Sequence, residues 1–159
     1  MIEIKEITDA DDKSTICNDI LRALPNWFGI ESSIADYVNQ VKSLPFYASV
    51  DGAKNIGFVA IKPHTSSAAE ICVMGILKQY HKQGIGRKLI NICEQYCIKN
   101  KLEFLTVKTL DESRASNSYE KTRLFYLATG FKPVEVFPLF WDEDNPCLFM
   151  IKRIDGVVI

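Results

Sequence analysis

The sequence predicts an α/β (α+β) fold: a central mixed β-sheet, mostly antiparallel, flanked by helices. Three observations predict it. Apolar residues alternate between period two and helical spacing in the order β-α-α-β-β-β-α-β-α-β-β. The segment "DGAKN" has turn composition and joins "FYASV" to "IGFVAIK", two runs of β-formers, as in an antiparallel hairpin. Finally, "AEICVMGIL", a helix from about Gly84 to Asn100 and "FLTVKTL" make a strand-helix-strand unit, which requires its two strands to be parallel.

The elements follow in order. "IEIKEI" alternates Ile2 and Ile4 with charges and reads as a strand, and "DDKSTICNDILRAL" carries Ile16, Ile20, Leu21 and Leu24 at helical spacing. Pro25 and Gly29 break that helix, and a second one places Ile34, Tyr37, Val38 and Val41 on one face. After the hairpin, "PHTSSA" is a loop, and the long helix buries Ile85, Leu89, Ile92, Cys93 and Tyr96. The polar stretch "DESRASNS" is a loop before a helix over about Tyr119 to Ala128, which stops at Gly130. "FKPVEVF" and "CLFMIKRI" are the last strands, with Trp141, Asp142, Glu143 and Asp144 in the loop between them.

Composition narrows the function classes. A chain of 159 residues can bury a single core, so one domain over residues 1–159 is expected. No stretch is rich enough in Pro, Gly or Ser to be a linker. The net charge of -1 gives no field for nonspecific nucleic-acid binding. "MIEIKEITDADD" has no apolar h-region and no run could span a bilayer, so a cytoplasmic protein without a membrane or nucleic-acid partner is expected. The five cysteines have no Cys-x-x-Cys spacing and read as reduced, mostly buried thiols. Cys93 and Cys97 share a helix face but have no partner His nearby, and no metal is expected.

Chemistry concentrates around "HKQGIGRKL", His81 to Leu89. Helix N-termini offer N–H groups without intrahelical acceptors, and Gly84 and Gly86 let the backbone curl around an anion. Lys82, Arg87 and Lys88 add charge. The spacing is neither the Walker loop nor the dinucleotide fingerprint, since Leu89 stands where the latter needs a third glycine. Read alone, the stretch is equally a tight strand-to-helix turn with solvated lysines. Upstream, Gly75 sits inside an apolar strand and marks a bulge or a close backbone approach. A strand splayed there leaves main-chain groups for an extended, amide-containing ligand. Period two puts Glu70, Cys72, Met74 and Ile76 on one face.

These residues resemble the GNAT superfamily of N-acetyltransferases. The family's acyl-CoA loop is Arg/Gln-x-x-Gly-x-Gly/Ala at the start of a helix after a bulged strand, and "HKQGIG" fits it with His81 in first place. "FYLATGF", Phe125 to Phe131, is similar to the family's Phe-Tyr-x-x-x-Gly-Phe, in the right order. The resemblance covers nearly the whole chain, least over residues 8 to 44. It implies a sheet splayed between two parallel strands and acetyl-CoA as co-substrate. It further implies that the backbone of Met74 and Ile76 pairs with pantetheine, and that amides of Lys82, Gln83, Gly84, Ile85, Gly86 and Arg87 cradle the pyrophosphate. The family often has Asn seven residues before its tyrosine, where this chain has Tyr119; Asn117 lies close by, and both are cofactor-site candidates.

By the same resemblance Tyr126 is the general acid, and Glu70, in "AEI", matches the glutamate that acts as base in histone-type members. The chemistry needs such groups. An alkylammonium of pKa about 10.4 cannot attack a thioester until a base takes its proton, and the departing thiolate needs a donor. Water-relayed proton transfer is the alternative to Glu70. Trp27, Phe28 and Trp141 fall where the family builds its acceptor side, and acids beside an aromatic wall suit a cationic amine. A solvated acidic turn with packed indoles explains them equally well. His64 and Cys147 have no partner identifiable from the sequence. The implied activity is acetyl transfer to a primary amine of a small molecule or protein by direct attack in a ternary complex. A non-catalytic acyl-CoA-binding module, or a transferase using another acyl group or nucleophile, stays open, as does a homodimer.

Overall fold

A computed structural model describes residues 1–157. The elements are β1 (Ile2–Glu6), α1 (Ala10–Arg22), α2 (Glu31–Gln40), β2 (Phe46–Asp51), β3 (Lys54–Pro63), β4 (Ala68–Ile76), α3 (Ile85–Lys99), β5 (Phe104–Leu110), α4 (Asn117–Ala128), β6 (Lys132–Asp142) and β7 (Asn145–Arg153). The order is the one expected. The seven strands form one mixed, mostly antiparallel sheet, ordered β1-β2-β3-β4-β5-β7-β6. Among the described residues no helix is long and apolar enough to cross a membrane.

The chain divides into two compact units, and the boundaries cut β4 after Glu70 and α3 after Cys93. The first unit comprises Met1–Lys62 and Ile71–Cys93. Asp9 caps α1, accepting from the Asp12 amide at 2.9 Å, and the helix buries Ile16, Cys17, Ile20 and Leu21. These side chains share a core with Ile34, Val41, Phe46, Ala48, Val50, Phe58 and Val73. Lys13 is also buried, its ammonium donating to the Leu44 carbonyl at 2.8 Å. The β2–β3 hairpin turns at Gly52, whose φ of +62° suits the glycine position of a tight hairpin turn.

Gly75 serves this core. A Cβ there would lie 3.1 Å from Ile20, 3.3 Å from Leu24 and 3.4 Å from Phe58, so the missing side chain admits α1 against the strand. The sequence marks this glycine for a bulge or a close backbone approach, and the close approach at its Cα is that of the Ile20 and Leu24 side chains.

The second unit comprises Pro63–Glu70 and the chain from Glu94 onward. Here α4 begins two residues earlier than expected because Ser116 is a cap, its hydroxyl accepting from the Tyr119 amide at 3.2 Å. Its other end is a Schellman motif: the Phe131 amide donates to the Tyr126 carbonyl at 3.0 Å and the Gly130 amide to the Leu127 carbonyl at 3.2 Å, with Gly130 at φ +100°.

The expected loop between the last two strands shrinks to a tight turn. Trp141 and Asp142 belong to β6, and only Glu143 and Asp144 lie between the strands. β6 runs through Pro138, whose missing N–H is tolerated at the sheet edge, and the pairing becomes irregular between Phe137 and Asp142.

Candidate functional site

The glycine loop of the first unit is built from main chain. Lys82 and Gly84 both adopt left-handed φ, +61° and +79°, on either side of Gln83. Such alternation turns successive N–H groups inward into an anion-binding concavity. The Lys88 amide donates to the Gly84 carbonyl at 3.2 Å, which makes Gly84 the residue before the first turn of α3. Ile85, Gly86 and Arg87 therefore present amides at a helix N-terminus, where no intrahelical acceptor reaches them. Lys82, Gln83, Gly84, Arg87 and Lys88 are exposed, whereas Ile85 anchors the helix in the interior. Nothing lies within 4 Å of where a Gly84 Cβ would be, so glycine is needed there for its φ and not for space.

His81 does not project as a phosphate ligand. Its Nε2 donates to the Ile76 carbonyl at 2.6 Å, and its ring meets the Trp27 edge at 5.5 Å between centroids. The imidazole thus ties the end of β4 to the loop. Gln83 likewise points back, donating to the Gln79 carbonyl at 3.1 Å. Met74 and Ile76 are half-buried on β4. Trp27 and Phe28 pack on the unit's core, Phe28 edge-on to Tyr37 at 6.2 Å.

In the second unit Glu70 is the centre of a charged cluster. Its Oε1 lies 2.6 Å from His64 Nε2 and its Oε2 accepts from Lys108 Nζ at 3.0 Å. Glu70 is 8% exposed, a buried carboxylate with a donor on each oxygen. Lys108 also lies over the Phe140 ring, 5.3 Å from its centroid. Burial pushes the nearby Cys147 thiol up to about 11, with Lys108 lowering and Glu70 raising it. His64 and Lys108 were not anticipated as site residues. Period-two patterning could have brought Lys108 to the sheet, but nothing local joins it to Glu70, thirty-eight residues away.

Tyr126 is buried in α4, and its ring meets Phe131 edge-on at 5.4 Å and Phe125 at 5.5 Å. This is the apolar contact of the Schellman motif, so "FYLATGF" has a capping role whatever its tyrosine also does. Tyr119 is two residues into α4, after Asn117, and burial pushes its phenol up to about 12. Trp141 sits beside Phe140 on β6, and the Asp142 carboxylate is spent on the turn, accepting from the Asp144 amide and the Asn145 side chain at 2.9 Å each. None of the five cysteines is in a disulfide. Among the described residues no group of three His, Cys, Asp or Glu side chains could hold a metal ion.

The family model for the acetyltransferase (GNAT) domain matches residues 42–133, more than half of the chain and inclusive of the loop and Glu70. The chain belongs to the GNAT acetyltransferase family. Solved structures carry the same fold. An aminoglycoside 6'-N-acetyltransferase complexed with coenzyme A is 22% identical with a TM-score of 0.76, covering 96% of this chain and 97% of that one. A GNAT acetyltransferase from Elizabethkingia anophelis with acetyl-CoA bound is 17% identical with a TM-score of 0.73, over 96% and 97%. The ribosomal-protein-S18-alanine N-acetyltransferase of Escherichia coli is 18% identical with a TM-score of 0.72, over 97% and 94%. No curated protein matches the sequence.

Proposed function

We propose that this GNAT chain is an acetyl-CoA-dependent N-acetyltransferase that passes acetyl to a primary amine of a small molecule or protein, by direct attack in a ternary complex. The observation that carries the reading is the main-chain cradle, with left-handed Lys82 and Gly84 opening α3. It fits a pyrophosphate, and the neighbours that hold coenzyme A or acetyl-CoA share the fold. The amides of Lys82 to Arg87 bind the pyrophosphate and the charges of Lys82, Arg87 and Lys88 draw it in. Met74 and Ile76 pair with the pantetheine arm, Ile76 through its N–H, because His81 already donates to its carbonyl. Acetyl-CoA supplies an activated acyl carbon. The Glu70 cluster receives the amine's proton and Tyr126 donates to the leaving sulfur.

The acceptor is a separate matter. The same fold serves an aminoglycoside acetyltransferase and one acting on an alanine of a ribosomal protein. Trp27, Phe28 and Trp141 are the acceptor-side candidates, and Asn117 and Tyr119 flank the donor. Five cysteines without a disulfide fit the reducing cytoplasm, where we place the reaction.

Thiol release from acetyl-CoA across amines, polyamines, amino acids and peptides tests the reading. One class of amine should raise the rate well above solvent hydrolysis, and Tyr126→Phe should lower kcat while leaving the KM for acetyl-CoA unchanged. Tight CoA binding with no amine-dependent turnover would instead favour a non-catalytic acyl-CoA-binding module.

A further inference from the structure

Glu70 is poorly placed to take a proton itself. Each of its oxygens already has a donor, and its side chain is 11% exposed, whereas that of His64 is 41% exposed. An ionised carboxylate only accepts, so in the neutral His64 ring the proton sits on Nε2, 2.6 Å from Oε1, and Nδ1 keeps its lone pair. Nδ1 has no hydrogen-bond partner among the described residues. The backbone beneath it is fixed: the His64 and Thr65 amides donate to the Ala68 carbonyl at 3.1 and 3.3 Å, and Thr65 Oγ1 accepts from the Ser67 and Ala68 amides at 3.1 and 3.2 Å.

Resting on the transferase reading above, we propose that His64, through Nδ1, is the catalytic base that deprotonates the acceptor amine, with Glu70 and Lys108 as positioning residues. Glu70 fixes the tautomer and offsets the imidazolium charge. Lys108 holds the other carboxylate oxygen and is itself a donor there. The third ionisable neighbour, the Cys147 thiol pushed up to about 11 by burial, stays protonated at neutral pH and does not compete. The ammonium gives one proton to Nδ1; the freed lone pair forms the N–C bond at the thioester carbon, the C–S bond breaks, and the sulfur leaves as thiolate. Two protons leave the nitrogen in all. One ends on the CoA sulfur and the other reaches solvent from His64.

His64→Ala should lower kcat by about 10²-fold or more without changing the KM for acetyl-CoA, and free imidazole should restore part of the loss. Glu70→Gln, which keeps an acceptor oxygen, should lose less than His64→Ala. If His64→Ala keeps wild-type kcat, or Glu70→Gln is the more damaging change, the assignment is overturned while the transferase reading stands. If the wild type acetylates no amine at all, the transferase reading fails and takes this role with it. Nitrogen-detected NMR of wild-type imidazoles adds a readout apart from turnover: neutral His64 should be the Nε2–H tautomer, and a dominant Nδ1–H tautomer would overturn the geometry.

Discussion

The glycine loop and the Glu70 cluster make opposite use of the chain. In the loop the binding groups are backbone amides, held by two left-handed residues, while its charged side chains are exposed and its His81 and Gln83 side chains bond back to the backbone. In the cluster the backbone is ordinary strand and loop, and three side chains from β4, β5 and the β3–β4 loop do the work over 2.6 and 3.0 Å. A main-chain site tolerates exchange of its side chains but not of its dihedral angles. A side-chain site behaves the other way round, and its members fail together because each satisfies the next.

The largest effect should come from Gly84→Val. Forcing a β-branched residue into a φ of +79° costs ~1–3 kcal/mol, so the KM for acetyl-CoA should rise about tenfold or more. The same strain sets the loss of stability, with no steric clash added because open space surrounds that position. Steady-state kinetics beside chemical denaturation reads both effects. Lys108→Met should spare the donor site. It leaves the buried Glu70 carboxylate with one partner, and unfolding should show a loss of ~1–3 kcal/mol with donor affinity intact. If both variants damage donor binding alike, the contrast between the two regions is lost.

His81→Ala removes the 2.6 Å bond to Ile76 and should cost about 1 kcal/mol, read by thermal or denaturant unfolding. The smallest effect concerns Asp111, after β5. Burial pushes its carboxyl up, but hydrogen bonds from Ser113 and the Glu112 amide, with the Arg123 guanidinium, more than offset this and leave its pKa below the ordinary 3.8. A depressed native pKa gives stability that is present above the unfolded value and lost as pH falls through the native one. Wild type should therefore lose more stability than Asp111→Asn when denaturation curves at neutral pH and below about pH 4 are compared.

The contrast also explains what was legible in the sequence. Left-handed turns and helix starts are local demands, so "HKQGIG" and the Gly130 stop could be read from neighbouring residues. The partnership of His64, Glu70 and Lys108 depends on strand pairing across the fold, and His64 consequently looked partnerless. Gly75 was legible as a special position but its cause was not, because α1 arrives from more than fifty residues away. The placement of Trp141 and Asp142 in a loop failed for a similar reason: β6 continues through Pro138 because it lies at the sheet edge, which only the sheet order shows. His81 departs from the family pattern, and its bond to Ile76 is the physical content of that departure.

The most direct test of the central claim, direct acetyl transfer to an amine nitrogen, is mass spectrometry with isotope-labelled acetyl-CoA. Incubated with the donor alone, the chain should keep its mass; on addition of an acceptor amine, the label should appear on that amine's nitrogen with matching release of CoA. Label retained covalently on the chain before the amine is added, on one of its cysteines for example, and then passed on to the amine would contradict the account.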